Sequence, residues 1–513
     1  SRFQALLVFG SAHARADAME PPSASEKEAF DLTVRGGRVL TDDGEVAADI
    51  GVRDGVIAAV EPDLKAGKVD LDARGLLVLP GGVDSHCHIE QKTSTGLTPC
   101  DDFFSASVSA LCGGTTTLLP FACQHRGQRI RDVVSAYREA AAKAAADYAI
   151  HVIVSDPSEP HALEDLAQCF AEGYTSVKVY MTYDALKLRD EELLDVLALC
   201  RRHGAMVMVH AESHDLIAWI TRRLLSADLR TPKYHAVARH PLAEREATHR
   251  AITFAEFVGT PLLVVHVSSC AAAREIAAAR ARGVPIFGET CPQYLVLTKA
   301  CLDHPHDEWL GAKFLCSPPL RCQADQRVLW EALRDGDLQV VSSDHSAYNF
   351  KSDGGRPSKM MRGRTGSFAQ VPMGLPGLET RLPLLFSSGV QAGRMSLRTF
   401  VDVSATNPAK LYGLYPRKGS IRVGADADIA VWDPELRHTI SKATLHDDLD
   451  YTPYEGMEVQ GAPVMTIAAG KLVYRRGKGG DPAAGDEVRA ERGQGRWCPC
   501  GQPQLLGWDG VWP

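Results

Sequence analysis

No stretch of the 513-residue chain stays apolar for the ~18–20 residues of a bilayer-spanning helix, which excludes a membrane protein of that kind. Positive charge is not in excess. Lys and Arg number 56 against 64 Asp and Glu, and the net charge of −8 argues against non-specific nucleic-acid binding. Cysteine is sparse: 13 residues, odd in number and scattered without a short framework, fit a reducing cytosol. No Gly-x-Gly-x-x-Gly follows a strand-like run, which disfavours a dinucleotide-binding open sheet. What remains is a 45% hydrophobic, 23% charged composition, that of a soluble globular protein. At about 100–200 residues per domain, the length allows two or three domains, or one large barrel with a smaller companion.

Residues 1–30 read as a disordered leader or a non-native extension, with Met19 a natural start. Ala5 to Phe9, followed by Ser11-Ala12-His13-Ala14, has the texture of a signal-peptide end. Its apolar part is shorter than the ~7–15 residues of a secretory core. Residues 477–513 are rich in Gly, Pro and charge, and are expected to form a flexible tail carrying Trp497, Trp508 and Trp512. Cys498-Pro499-Cys500 has the spacing of half a zinc site, but no second Cys/His pair lies nearby.

Short strands are expected at Asp31–Arg35, Arg38–Leu40, Ala48–Arg53, Val56–Val60 and Gly75–Leu79, separated by Gly and Asp turns. The same texture returns at Gly419-Ser420-Ile421, at Ala427 to Trp432 and from Val464 to Val473. Segments 31–77 and 401–476 are therefore assigned to one β-sandwich built from both flanks. Between them, residues 78–400 alternate apolar strand runs with Ala/Glu/Arg-rich helical segments such as Arg131 to Ala146. Continuous apolar strands alternating with helices mean a parallel sheet covered on both faces. About eight such units suit an α/β fold of the TIM-like (β/α)8 barrel type.

Several of these strands end on a residue able to bind a metal. His86 and His88 are two apart on a strand, so both imidazoles point to one side while Cys87 points away. His210, His266 and Asp344 each close an apolar run, at the strand ends where barrels gather catalytic groups. A lone His-x-His is usually incidental, and a single Asp can cap a helix. Five such residues at equivalent positions on separate strands point to metal binding. Lys178 is an amine inside an apolar strand and either snorkels, pairs with an acid or acts as a ligand. A lysine of depressed pKa reacts with carbon dioxide to a carbamate, whose two oxygens can bridge two metals. Four imidazoles, one carbamate and one carboxylate would hold two zinc-like ions, although manganese or cobalt also suits such ligands.

Gly81-Gly82-Val83-Asp84-Ser85-His86-Cys87-His88, Gly113-Gly114-Thr115-Thr116-Thr117, Val207-Met208-Val209-His210-Ala211-Glu212 and Val265-His266-Val267-Ser268-Ser269 resemble the dihydropyrimidinase/D-hydantoinase branch of the amidohydrolase superfamily. So do Gly288-Glu289-Thr290-Cys291-Pro292-Gln293-Tyr294, Ser317-Pro318-Pro319-Leu320-Arg321 and Ser343-Asp344-His345, and the likeness runs from residue 32 to 475. The resemblance implies a barrel with a two-ended sandwich, two divalent ions (zinc expected) and a homotetramer, and the cysteine usage adds a cytoplasmic setting. It implies that His86, His88, carboxylated Lys178 and Asp344 serve one metal, and Lys178, His210 and His266 the other. A bridging hydroxide would attack the carbonyl of a cyclic ureide, a dihydropyrimidine or 5-substituted hydantoin, to give an N-carbamoyl amino acid. Asp344 would shuttle the proton, Tyr183 would donate to the oxyanion, and Ser317 would hold the cyclic amide.

Two departures bear on the substrate. Met373 stands where relatives commonly carry an Asn that contacts the ring amide. Ile89-Glu90-Gln91-Lys92-Thr93 is polar where many hydantoinases are apolar, which favours small or polar substituents if the stretch lines the pocket. A cyclic imide or allantoin is the alternative substrate. A non-catalytic scaffold, as in the family's neuronal signalling branch, would lack the ligands that are all present here.

Overall fold

The computed structural model describes residues 29–93, 96–351, 357–477 and 485–506. The leader up to residue 28, and Trp508 and Trp512, lie outside the described residues. At the centre is a parallel barrel of eight strands: β1 (Gly82–His88), β2 (Thr115–Cys123), β3 (His151–Ile153), β4 (Ser176–Tyr180), β5 (Met206–His210), β6 (Leu262–Val264), β7 (Ile286–Thr290) and β8 in two pieces, Val340–Val341 and His345–Ser346. β8 closes the ring. Its first piece pairs with β7 (Thr290 opposite Val341) and its second with β1 (His345 opposite Cys87). The two pieces are separated by Ser342 to Asp344, so the break in the ladder falls at a predicted site residue.

The strands read as near-continuous apolar runs because they are covered twice, by the barrel interior and by the outer helices. All nine residues of β2 and all five of β5 are buried. The helix Asp190–His203 shows how the outer layer is written. It opens on Asp190, Glu191 and Glu192 and closes on Arg201, Arg202 and His203, matching the macrodipole at both ends. Leu193, Val196, Leu197 and Cys200 bury one stripe, and Gly204 stops the helix in the left-handed conformation at φ +65°.

A nine-stranded sheet drawn from both flanks packs beside the barrel. The flanks join where Leu77–Pro80 runs antiparallel to Ile429–Thr439, with Leu79 opposite Ala430. Two strand expectations are corrected. Asp31–Arg35 and Arg38–Leu40 form one strand, Leu32–Thr41, bulged between Val34 and Gly37; Gly36 takes φ +72° there and donates its N–H to Asp49 Oδ1 at 2.7 Å. Conversely, Val464 to Val473 is two antiparallel strands, Glu458–Ala468 and Lys471–Arg475, turned at Ala469 and Gly470.

The expected loose tail is also corrected over residues 485–506. Glu487–Val488 adds an edge strand to the sheet. Beyond it the chain crosses the end of the barrel where the strands begin. Tyr148 N–H donates to Arg496 O at 2.9 Å, Cys498 N–H to Tyr148 O at 2.7 Å and Cys500 N–H to Gly173 O at 2.9 Å. The Trp497 ring lies 4.7 Å from that of Tyr174, and Cys498 and Cys500 are buried free thiols. Within residues 485–506, Gly495 packs against the backbone at Ala146, with no room for a Cβ.

Candidate metal centre

The C-terminal ends of the barrel strands converge on one cavity of about 460 Å³ lined by His86, His88, Lys178, His210, His266, Asp344, Tyr183, Ser317 and Met373. Every residue singled out as a site candidate therefore borders the same space. The alternation of β1 aims His86 and His88 inward and buries Cys87 in the core behind them. Asp344 Oδ1 lies 3.2 Å from His86 Nε2 and 3.2 Å from His88 Nε2. These three residues offer ligand atoms within 4.8 Å of one another. Opposite them, His266 Nε2 faces His210 Nδ1 at 2.8 Å. Lys178, on β4, reaches His86 with its Nζ at 3.2 Å from Nε2 and stands 4.9 Å over the Phe121 ring.

Backbone strain is concentrated here. Tyr183, His266 and Asp344 adopt positive φ of 70°, 41° and 49°, a conformation that costs a non-glycine residue about 1–3 kcal/mol. Each sits just past or within a barrel strand, turning its side chain into the cavity. The Tyr183 ring meets His210 edge-on at 5.2 Å, with the Arg239 guanidinium 5.1 Å above it. Ser317 Oγ and Met373 Sδ lie 3.0 Å apart on the facing wall.

The titratable groups are held in ligand-ready forms. Burial pushes His86 and His266 well below the usual histidine range, helped at His86 by Lys178 and at His266 by His210. They are neutral imidazoles, the form that binds metals. Burial pushes Lys178 down to about 8, against the pull of Asp344 and Glu289. Burial alone would raise Asp344, but His86, His88 and Lys178 together hold it below the ordinary carboxylate range.

Four residues outside the expected set orient this centre. Glu289 Oε1 holds His86 Nδ1 at 2.6 Å, Glu212 Oε2 holds His210 Nε2 at 2.7 Å, and Gln91 Oε1 holds His88 Nδ1 at 2.6 Å. Arg239 in turn pairs with Glu212. Each imidazole so bound turns its other nitrogen to the cavity, the arrangement by which a carboxylate or amide fixes a metal-binding tautomer. Glu289 and Glu212 stand inside motifs already noted, but their roles were not legible there.

The residues fit divalent cations. Three of the inward-facing nitrogens have their partner nitrogen already engaged, and Glu212 Oε1, Glu289 Oε2 and His266 Nδ1 are buried without hydrogen-bond partners among the described residues. The other acidic cluster among the described residues, Asp147, Asp426 and Asp428, fits no cation, because Lys418 Nζ lies 2.5–2.8 Å from all three.

A closed parallel barrel with imidazoles, an amine and a carboxylate at the ends of separate strands is the arrangement of a barrel enzyme whose site can hold divalent metal. The Amidohydrolase family model matches residues 77–473. The D-hydantoinase of Rhizobium radiobacter is 40% identical over 450 residues, 87% of this chain and 96% of that protein. The D-hydantoinase of Geobacillus stearothermophilus is 41% identical over 446 residues, 86% and 92% of the two chains. Among solved structures, the dihydropyrimidinase from Brevibacillus agri NCHU1002 superposes with a TM-score of 0.86 at 39% identity, covering 92% of this chain and 99% of that one. The chain belongs to the amidohydrolase family, in the branch that holds the D-hydantoinases and dihydropyrimidinases.

Proposed function

We propose that the protein hydrolyses the ring amide of cyclic ureides, dihydropyrimidines and 5-substituted hydantoins, to N-carbamoyl amino acids. Family membership supports the hydrolase chemistry. The observation that carries the reading is the convergence of His86, His88, Lys178, His210, His266 and Asp344 on one cavity of ring-binding size. In this reading His86, His88, Lys178 and Asp344 hold one zinc ion, and Lys178, His210 and His266 a second. When bound, the pair supplies Lewis acidity toward the ring carbonyl and makes water acidic enough to attack at neutral pH.

As a carbamate, Lys178 would serve both ions. Its neutral Nζ forms a bond to the carbon of carbon dioxide and releases one proton, leaving two oxygens that share one negative charge. Full burial of the amine favours that neutral starting form. Asp344 accepts the proton of the attacking water at its carboxylate and returns it to the ring nitrogen as the C–N bond breaks. The Tyr183 hydroxyl donates to the oxygen on which negative charge develops. Ser317 lines the ring-amide wall, and Met373 offers a thioether where an amide side chain would discriminate among rings. That substitution keeps cyclic imides and allantoin in view as substrates.

No helix among the described residues is long and apolar enough to cross a membrane, and all thirteen cysteines are free. The free thiols support a cytoplasmic setting. The homotetramer belongs to the same reading, supported by Leu216, Trp219, Val237 and Leu242, all more than two-fifths exposed.

The test is ring opening on dihydrouracil, hydantoin, a 5-aryl hydantoin, succinimide and allantoin, with zinc and bicarbonate supplied and a chelated sample alongside. Chelator-sensitive opening of dihydrouracil or a hydantoin is expected. Turnover confined to succinimide would replace the ureide assignment with a cyclic imide, turnover confined to allantoin would narrow it to that ureide, and no turnover by metal-loaded protein would overturn the hydrolase reading.

A further inference from the structure

Gln91 is where this chain's polar loop enters the cavity. The loop Ile89 to Thr93 follows β1, and its charged members turn away. Glu90 pairs with Lys143 at 2.7 Å, and Lys92 is exposed outside the cavity lining. Gln91 instead is buried, 6% exposed, and borders the cavity beside Thr93 and Leu97. Its Oε1 lies 2.6 Å from His88 Nδ1.

The ligand role of His88 fixes which way this amide points. Ligation through Nε2, the nitrogen that faces Asp344, requires the ring proton on Nδ1. Nδ1–H must then donate, so Gln91 must present its carbonyl oxygen to His88. The Nε2 amide group is left toward the cavity, where no described residue accepts from it. Both of its protons are available to a bound molecule. Arg362, exposed on the rim of the same cavity, adds a second donor and a positive charge. Apart from Asp344 at the centre, no carboxylate among the described residues lines the cavity. An unpaired amide N–H₂ beside a guanidinium, with no carboxylate close by, favours a ligand that accepts hydrogen bonds.

Resting on the proposed function, we infer that Gln91 is a specificity-determining residue that favours cyclic ureides whose ring-carbon substituent carries a carbonyl acceptor, a carboxylate or a primary amide. The same side chain positions His88 through its oxygen and reads the substituent through its nitrogen. A methionine or leucine at position 91 would do neither. A glutamate would keep the contact with His88 and lose the donor.

The experiment uses the full-length protein loaded with zinc and bicarbonate. kcat/KM is measured on 5-(2-carboxyethyl)hydantoin, 5-(2-carbamoylethyl)hydantoin and the similarly shaped hydrocarbon 5-(3-methylbutyl)hydantoin, with unsubstituted hydantoin as reference. Wild type is expected to favour the two carbonyl-bearing rings over the hydrocarbon by about tenfold, the effect of one good hydrogen bond. Gln91→Met should abolish that preference. Gln91→Glu should lower the carboxylate-to-amide ratio by like-charge repulsion. The readout is a ratio on one enzyme sample, so general loss of fold or metal does not move it. Preference for the hydrocarbon by wild type, or a ratio unchanged in Gln91→Met, overturns the inference while hydantoin opening leaves the hydrolase reading standing. Failure on every ring, hydantoin included, overturns both.

Discussion

At the residue scale, the centre depends on pairs in which one member faces the cavity and the other sets its orientation. Lys178 and Tyr183 test the two kinds of contribution. Lys178→Ala removes the group proposed to join both ions. Metal content and turnover should therefore fall together, and added bicarbonate should restore neither; full turnover in this variant would sink the carbamate. Tyr183→Phe removes only a donor to developing charge, so kcat should fall by about 10²–10³ with metal content unchanged. A change confined to KM would move Tyr183 from oxyanion stabilisation to binding. The cavity-facing members of the pairs were legible in the sequence because each closes an apolar run. The orienting members were not. Glu289 meets His86 across 203 positions, and only closure of the barrel through β8 brings β7 within reach of β1. Gln91 is three positions from His88, yet nothing in a polar loop says which of its side chains turns inward.

At the scale of elements, sequence periodicity identifies barrel strands well because double burial makes them uniformly apolar. It identifies the C-terminal segment poorly because that segment is held by backbone contacts made at glycines. An added Cβ at Gly495 would lie 2.0 Å from Ala146 O, and one at Gly173 would lie 2.6 Å from Pro499 Cβ. Those contacts fix residues 485–506 across the starts of β3 and β4, opposite the cavity mouth. Gly495→Ala should therefore loosen the segment without reaching the site. Limited proteolysis is expected to cut within 485–506 faster than in wild type, with turnover retained. Equal cleavage rates would mean that the neighbouring backbone yields at little cost. The bulge at Gly36 follows the same logic: a Gly-Gly pair reads as a break between strands, whereas Asp49 ties it into a single bent one.

At the scale of the whole molecule, one buried ionic knot joins barrel, sheet and C-terminal segment. Lys418 Nζ touches Asp147 ahead of β3, and Asp426 and Asp428 at the head of the strand Ile429–Thr439, while Arg496 reaches Asp147 at 2.6 Å and Asp426 at 2.9 Å. Lys418 is 1% exposed, so Lys418→Met leaves three carboxylates with two part-exposed cations, Arg496 and Arg417, the latter 3.7 Å from Asp426. Removing one partner of a buried pair costs about 3–5 kcal/mol. Arg496→Ala should cost far less, about 1 kcal/mol, because water screens a guanidinium that is 46% exposed. The pH dependence separates this account from simple loss of packing. Burial would raise Asp147, but Lys418 and Arg496 outweigh it and hold its carboxyl below the ordinary 3.8. A carboxyl lowered in the folded state contributes stability that is complete above its unfolded pKa and is lost as pH falls through the lower folded value. Asp428, raised by burial, binds its proton sooner and so reduces the net charge facing Lys418 in acid. The cost of Lys418→Met, measured by urea unfolding from pH 7 to pH 3, should thus be greatest at neutral pH and shrink below about pH 4 as the stranded carboxylates protonate. A cost that stays constant across that range would mean that Lys418 acts through its methylene packing, and the electrostatic account of how the three parts are joined would fail.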